Sequence, residues 1–240
     1  MKIDIVIPSY RRPKKLKRCL DSIMAQTYKN WECCVIVNGG DKETYDLLFE
    51  YEKLDKRIWF KSPGTSYVVE SWNYYFRVFV NSISGRQQDG VAWIVDDVEL
   101  FPNYLEELVN CMKINYPDFD GVVGAKQICP GRDDYKFKWF GQVLIGKKFI
   151  ERYKDAQYEV CCPDYVHFYQ DEEMWIFANS LGKFINCESA VLKHFHPAFV
   201  PEEMDETHGR IRDDIKRRDE ITYKARREKN LIWGETWRER

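Results

Sequence analysis

Hydrophobic and polar positions alternate between strand-like runs and helical stripes along most of this chain. Residues 3–8, IDIVIP, form a nearly continuous apolar run, the pattern of a strand buried on both faces. Pro13 follows where a helix can begin, and Leu16, Leu20, Ile23 and Met24 recur at helical spacing. Residues 31–37, WECCVIV, predict a second strand, closed by a turn at Asn38-Gly39-Gly40-Asp41. A strand–helix–strand unit this compact predicts a parallel crossover. A helix over 42–54, a strand over 57–61 and a Gly-containing loop entering a helix come next. In that helix Asn73 is the polar exception among large aromatics.

Residues 91–95, VAWIV, predict a strand that ends on Asp96 and Asp97. Pro102, a helix over 103–114 and a strand over 121–128 follow. Residues 129–146 predict loops and short hairpins, with a helix starting near Lys148. A helix entered through Gln170 and Asp171 ends with Gly182 as its C-cap, and residues 184–192 form a last strand running into Lys193-His194-Phe195-His196-Pro197. From residue 202 onward charges of both signs are dense and balanced. Helices with Ile211, Ile215 and Ile221 on a narrow apolar stripe are the expectation there. The predicted organisation is one domain over 1–200 and a charged helical C-terminal extension over 201–240.

Composition narrows the class. With 44% hydrophobic and 32% charged residues, the 240-residue chain is globular, not disordered. A net charge of −2 argues against broad attraction to nucleic acid or membrane. No apolar run is long enough to span a bilayer, and the chain opens directly on a strand. Eight cysteines include no C-x-x-C pair, and two pairs are adjacent, which suits buried free thiols in a reducing cytoplasm.

The chemistry gathers at strand ends, where open α/β sheets bind ligands. The first strand ends at Tyr10, Arg11 and Arg12; the strand after residue 90 ends at Asp96 and Asp97. Arginine suits phosphate, and clustered carboxylates suit a hard divalent cation that also touches phosphate. Positive charge at the start of the first helix opposes its dipole and is easier to understand with an anion nearby. Together these features suggest a nucleotide-diphosphate site with a metal.

Taken in order, IVIPSYRRPKKLKRCLDSIMAQTYKNWECCVIVNGG, GTSYVVESWNYYF, WIVDDVELFPNYLEEL, YQDEEMWIFANSLGKF and LKHFHP resemble the motifs of a family 2-like glycosyltransferase with the GT-A fold, over residues 1–200. The resemblance implies an α/β fold of GT-A type: a Rossmann-like, mixed but mostly parallel sheet flanked by helices. It implies a nucleotide-sugar donor, with a UDP-sugar favoured, and inverting transfer to a hydroxyl acceptor, for which a glycan is the first choice. Carried over, Pro8, Tyr10 and Arg12 hold the nucleotide base and ribose, and Asn38 stands where the family presents an aspartate to uracil. Asn73 and Asp96 complete the donor contacts, with Trp93 a weaker candidate for positioning the sugar. Asp97 is the metal carboxylate, joined by His194 or His196 on Mn²⁺ or Mg²⁺. The first aspartate of the DxD motif falls on Val95, leaving Asp96, Asp97 and Glu99 as the acidic candidates. Asp171 is the general base, with Glu172 second.

Alternatives stay open beside this reading. One is the same fold acting on a modified nucleic acid base, against which the acidic balance counts. Another is a catalytically silent nucleotide-sugar or polysaccharide-binding protein, motivated by Val95. A nucleotidyltransferase is weakened by the lack of a Gly-rich phosphate loop with a lysine after the first strand. The extension is expected to clasp the site, to contact the acceptor or to mediate self-association into a homo-oligomer.

Overall fold

Strand β1 (Ile3–Ser9) is buried along its whole length, as its apolar run requires. It pairs in parallel with β2 (Trp31–Val37) on one side and with β4 (Gly90–Trp93) on the other. The structure, a computed structural model, describes residues 1–80, 87–130, 141–211 and 213–235. Within these, β3 (Ile58–Lys61), β5 (Val98–Leu100), β6 (Val122–Ile128), β7 (Val143–Gly146) and β8 (Phe184–His194) complete an eight-stranded sheet in the order β3-β2-β1-β4-β7-β6-β8-β5. The β3-β2-β1-β4 half is parallel, and antiparallel pairings enter with β7 and β5. The mixed, mostly parallel sheet read from the sequence is thus present.

Helices α1 (Pro13–Met24), α2 (Lys42–Leu54), α3 (Val68–Tyr75), α4 (Tyr104–Asn115), α5 (Lys147–Ile150), α6 (Gln170–Ser180), α7 (Glu206–Arg210) and α8 (Asp213–Glu228) accompany the sheet. Alternation along β1 divides the core. Ile3, Ile5 and Ile7 pack with Leu16 and Leu20 of α1 and with Leu105 and Leu108 of α4. Val6 faces the other layer, with Trp72 of α3, Phe149 of α5 and Phe177 of α6. Pro13 opens α1 and Gly182, at φ 64°, closes α6, as expected.

β5 was not expected as a strand, and β7 falls in the stretch read as loops and short hairpins. β7 emerges from the 129–146 stretch, whose residues 131–140 lie outside the described residues. β5 is only three residues long, too short for alternation to announce it. It pairs antiparallel with the end of β8, setting Val98 opposite His194, and β8 therefore runs two residues past the expected end. Because β5 follows Asp97 directly, the paired aspartates do not cap a helix.

The segment after residue 200 folds back on the sheet end. Its expected apolar stripe is absent: Ile221 is 60% exposed, whereas Asp219 and Arg226 are buried. The Asp219 carboxylate accepts hydrogen bonds from the backbone N–H groups of Val166, His167 and Phe168 at 2.8–3.2 Å. Arg226 pairs with Glu173 at 2.9 Å, and Tyr223 stacks on Tyr169 with ring centroids 4.7 Å apart. Polar anchoring of this kind leaves no apolar period in the sequence, which is why the stripe misled. No helix among the described residues is long and apolar enough to cross a membrane.

Candidate active site

Parallel pairing of β1 with β4 brings their C-terminal ends to one sheet edge. The Ser9 hydroxyl donates to Asp96 Oδ2 at 2.7 Å, and Arg12 Nη1 donates to Asp96 Oδ1 at 2.8 Å. Arg12 Nη1 also lies 3.6 Å from Asp97 Oδ2. Between them Arg11 adopts φ 48°, a left-handed turn that a non-glycine residue holds at some cost. Its Nε–H donates to the carbonyl of Gly39 at 3.1 Å. Gly39 has φ 65°, and a Cβ there would stand 3.2 Å from the Tyr10 ring, so the turn after β2 needs glycine to let Tyr10 settle over it.

Asp97 faces the end of β8. Its Oδ1 lies 3.3 Å from His194 Nε2, and the other ring nitrogen of His194 contacts Gln127 Oε1 at 2.9 Å. An amide oxygen only accepts, so in this contact Nδ1 donates, and Nε2 is left facing Asp97. Burial would raise the Asp97 carboxyl, but His194 and then Arg12 and His196 outweigh it and hold it well below the usual range. For Asp96 burial wins over Arg12 and Ser9, so its carboxyl is raised. His196 is pushed down to about 4 by burial first and by His194 second, leaving a neutral ring 5.5 Å from that of His194. No ready-made cluster of three metal-ligating side chains occurs among the described residues. The donor set does fit a hard cation of the Mn²⁺ or Mg²⁺ type, which is often held by one or two protein groups and completed by water and phosphate oxygens.

These groups border a cavity of about 340 Å³. Pro8, Tyr10, Arg12, Asn38, Asp96, Asp97, His194 and His196 all line it, so most of the sequence-derived site comes together. Asn38 is set by two hydroxyls: Thr65 and Ser71 donate to its Oδ1 at 2.5 and 2.7 Å.

Three expectations are corrected, and the general-base pair lies outside the lining of this cavity. Asn73 does not line this cavity; both ends of its amide are bonded to the backbone of Cys161, at 2.8 and 2.9 Å, so it is a tie inside the fold. Trp93 is 3% exposed and packs on Trp72 with ring centroids 4.4 Å apart, which makes it core. Glu99 is bonded to Lys193 at 2.9 Å and does not line the cavity. Asp171 and Glu172 do not line the cavity. Asp171 sits in the first turn of α6, after the cavity-lining pair His167 and Phe168 and after Tyr169, which holds φ 69°. Burial raises Asp171 to about 6, whereas Glu172 accepts from the Tyr223 hydroxyl at 2.7 Å.

The anion expected near the start of α1 turns out to be the chain's own. Asp205 Oδ2 lies 3.0 Å from Arg12 Nε and 2.6 Å from Lys15 Nζ, and Glu203 bonds Arg18 at 2.7 Å. His208 Nε2 stands 2.9 Å from Arg12. Sequence reasoning missed Ser9, Gln127, Asp205 and His208. The one available signal was Asp205 before Glu206-Thr207-His208, a helix N-cap pattern; Asp205 does cap α7, accepting from the Thr207 and His208 N–H groups.

A polar cavity at the parallel strand ends of an α/β sheet defines the class. Within it, the sequence model described as "Glycosyl transferase family 2" matches residues 4–181, so the chain belongs to that family. It is 28% identical over 155 residues to "Glycosyltransferase GlyA" of Streptococcus pneumoniae, covering 62% of this chain and 22% of that protein. It is 29% identical over 135 residues to "O-antigen biosynthesis protein RfbC" of Myxococcus xanthus, covering 54% of this chain and 10% of that one. The chain therefore spans less than a quarter of these relatives. Among solved structures, the mannosyltransferase PcManGT of Pyrobaculum calidifontis, in complex with GDP-Man and Mn²⁺, superposes with a TM-score of 0.60 at 14% identity, covering 80% of this chain and 56% of that one. S. aureus TarS 1-349 in complex with UDP gives 0.59 at 12% identity, covering 87% and 68%. Both likenesses establish the GT-A fold.

Proposed function

We propose that this domain binds a nucleoside diphosphate sugar, with UDP favoured, in the cavity between β1, β2 and β4 and transfers the sugar with inversion to a hydroxyl acceptor, a glycan being the first candidate. The observation that carries it is buried Asp97 facing His194 at 3.3 Å, in a cavity that also holds Tyr10 and Asn38. The complexes of PcManGT with GDP-Man and Mn²⁺ and of TarS with UDP support the donor class.

In this reading Asp97 with His194 and His196 would hold Mn²⁺ or Mg²⁺. Such an ion supplies Lewis-acid stabilisation of charge on the leaving diphosphate. Tyr10, Pro8 and Asn38 receive the base and ribose. Arg12 holds Asp96 and Asp97 in place, since its guanidinium is shared among them and Asp205. Asp171, raised to about 6, takes the acceptor hydroxyl proton. The acceptor oxygen bonds the anomeric carbon as the bond to the diphosphate oxygen breaks and its electron pair leaves with the nucleotide. Thr207, His208, Ile211 and Lys216 of the segment after residue 200 then form one wall of the donor site.

Val95, in place of the motif's first aspartate, favours a second reading in which the domain binds a nucleotide sugar without turnover. Release of UDP from a panel of UDP-sugars, with Mn²⁺ and with chelator, separates the two. Metal-dependent release with at least one sugar supports transferase chemistry. Binding without release, across sugars and acceptor glycans, sinks it.

A further inference from the structure

We infer that Lys216 of α8 is the protein cation that meets the diphosphate of the donor. This rests on the donor reading above and adds a residue from the C-terminal segment to it. Arg12, the other lysine or arginine among the described residues lining the cavity, and its neighbours Arg11, Lys15 and Arg18 are already paired with carboxylates. Arg12 is shared among Asp96, Asp97 and Asp205; Lys15 lies on Asp205 and Glu203; Arg18 is on Glu203, and Arg11 is 3.4 Å from Glu206. A diphosphate brought to Arg12 would have to displace carboxylates that Arg12 holds at 2.8–3.6 Å.

Lys216 lines the same cavity from its C-terminal side, with Thr207, His208 and Ile211. Among the described residues it forms no salt bridge. Glu220, one turn further along α8, feels its charge but is bonded to Lys224 at 2.6 Å. The helix that carries Lys216 is fixed in place one turn later, where Asp219 accepts three backbone N–H groups from Val166, His167 and Phe168. An ammonium on a flexible stem, without a salt bridge among the described residues and delivered by an anchored helix, is a point charge suited to phosphate oxygens. The balance of charge agrees: Arg12 is already shared among three carboxylates, and among the described residues that line the cavity Lys216 is the remaining lysine or arginine to meet an entering diphosphate.

The test is equilibrium binding of UDP, uridine and inorganic pyrophosphate, each with Mn²⁺, to the full chain and to Lys216→Ala and Lys216→Arg. Lys216 is exposed, so both variants keep the fold, which melting curves check. The expected result is about a tenfold loss of UDP and pyrophosphate affinity in Lys216→Ala, with uridine unchanged and Lys216→Arg close to the parent. Undiminished UDP and pyrophosphate binding in Lys216→Ala overturns the assignment while leaving the donor reading standing. An equal loss for uridine also overturns it, since the effect is then not on phosphate. A parent chain that binds neither UDP nor pyrophosphate overturns both.

Discussion

Arg12 Nη1 stands 2.8 Å from Asp96 Oδ1, tying the end of β1 to the loop after β4. The same guanidinium reaches Asp97 and Asp205, so one side chain fixes both aspartates and anchors the returning segment. Burial opposes its charge, yet the three carboxylates hold its pKa above the ordinary arginine value.

Arg12→Ala is therefore expected to cost about 3–5 kcal/mol, because it leaves buried carboxylates without their cation. Arg12→Lys recovers only part of this, since an ammonium cannot spread over three acids as a planar fork does. Urea denaturation of the parent and both variants reads the difference; a loss under 1 kcal/mol in Arg12→Ala would remove Arg12 from its central place.

The raised Asp171 gives a pH signature of its own. Its folded pKa of about 6 lies above the ordinary 3.8, so the native state favours the protonated form. Ionisation then subtracts stability as pH rises from about 4 through 6, and the loss is complete above that window. Asp171→Asn should stabilise the protein by on the order of 2 kcal/mol at pH 8 and by little at pH 4, while abolishing transfer and sparing donor binding. Equal stability of variant and parent at both pH values, or full transfer by the variant, contradicts the assignment.

Asn73 separates fold from site. Asn73→Ala breaks two hydrogen bonds to the Cys161 backbone and leaves those groups buried and unpaired. The expected cost is about 2 kcal/mol in chemical denaturation, with nucleotide affinity unchanged in protein that remains folded. A selective loss of nucleotide affinity would restore Asn73 to the donor site.

Asp219 carries the coupling between the C-terminal segment and the cavity wall. Asp219→Ala removes the acceptor for three backbone N–H groups and should cost about 3 kcal/mol. Hydrogen exchange at Val166, His167 and Phe168 should accelerate more than at β1. Uniform acceleration across the sheet would mean that the clamp stabilises the whole fold and not this loop.

What was legible in the sequence follows from physical period. The ends of β1 and β4 were readable because buried strands write unbroken apolar runs, and Arg12, Asp96 and Asp97 follow such runs directly. His194 and His196 were readable because two residues apart on an extended chain share a side, and their rings do come within 5.5 Å. The pairing of Arg12 with Asp205, 193 positions apart, was not readable, because no local period encodes it. Asn73 misled for a related reason: a polar residue among aromatics looks the same whether it meets a ligand or a backbone. α8 was misread because Asp219 and Arg226, not isoleucines, bind it to the fold.

The most direct test of the account is calorimetric titration of UDP into the parent chain and into Asp97→Asn, each with Mn²⁺ and with chelator. The account predicts one saturable site in the parent, at least about tenfold tighter with Mn²⁺, and loss of that metal dependence in Asp97→Asn. UDP affinity that ignores both Mn²⁺ and the Asp97 substitution would contradict a metal-assisted diphosphate site at the ends of β1 and β4.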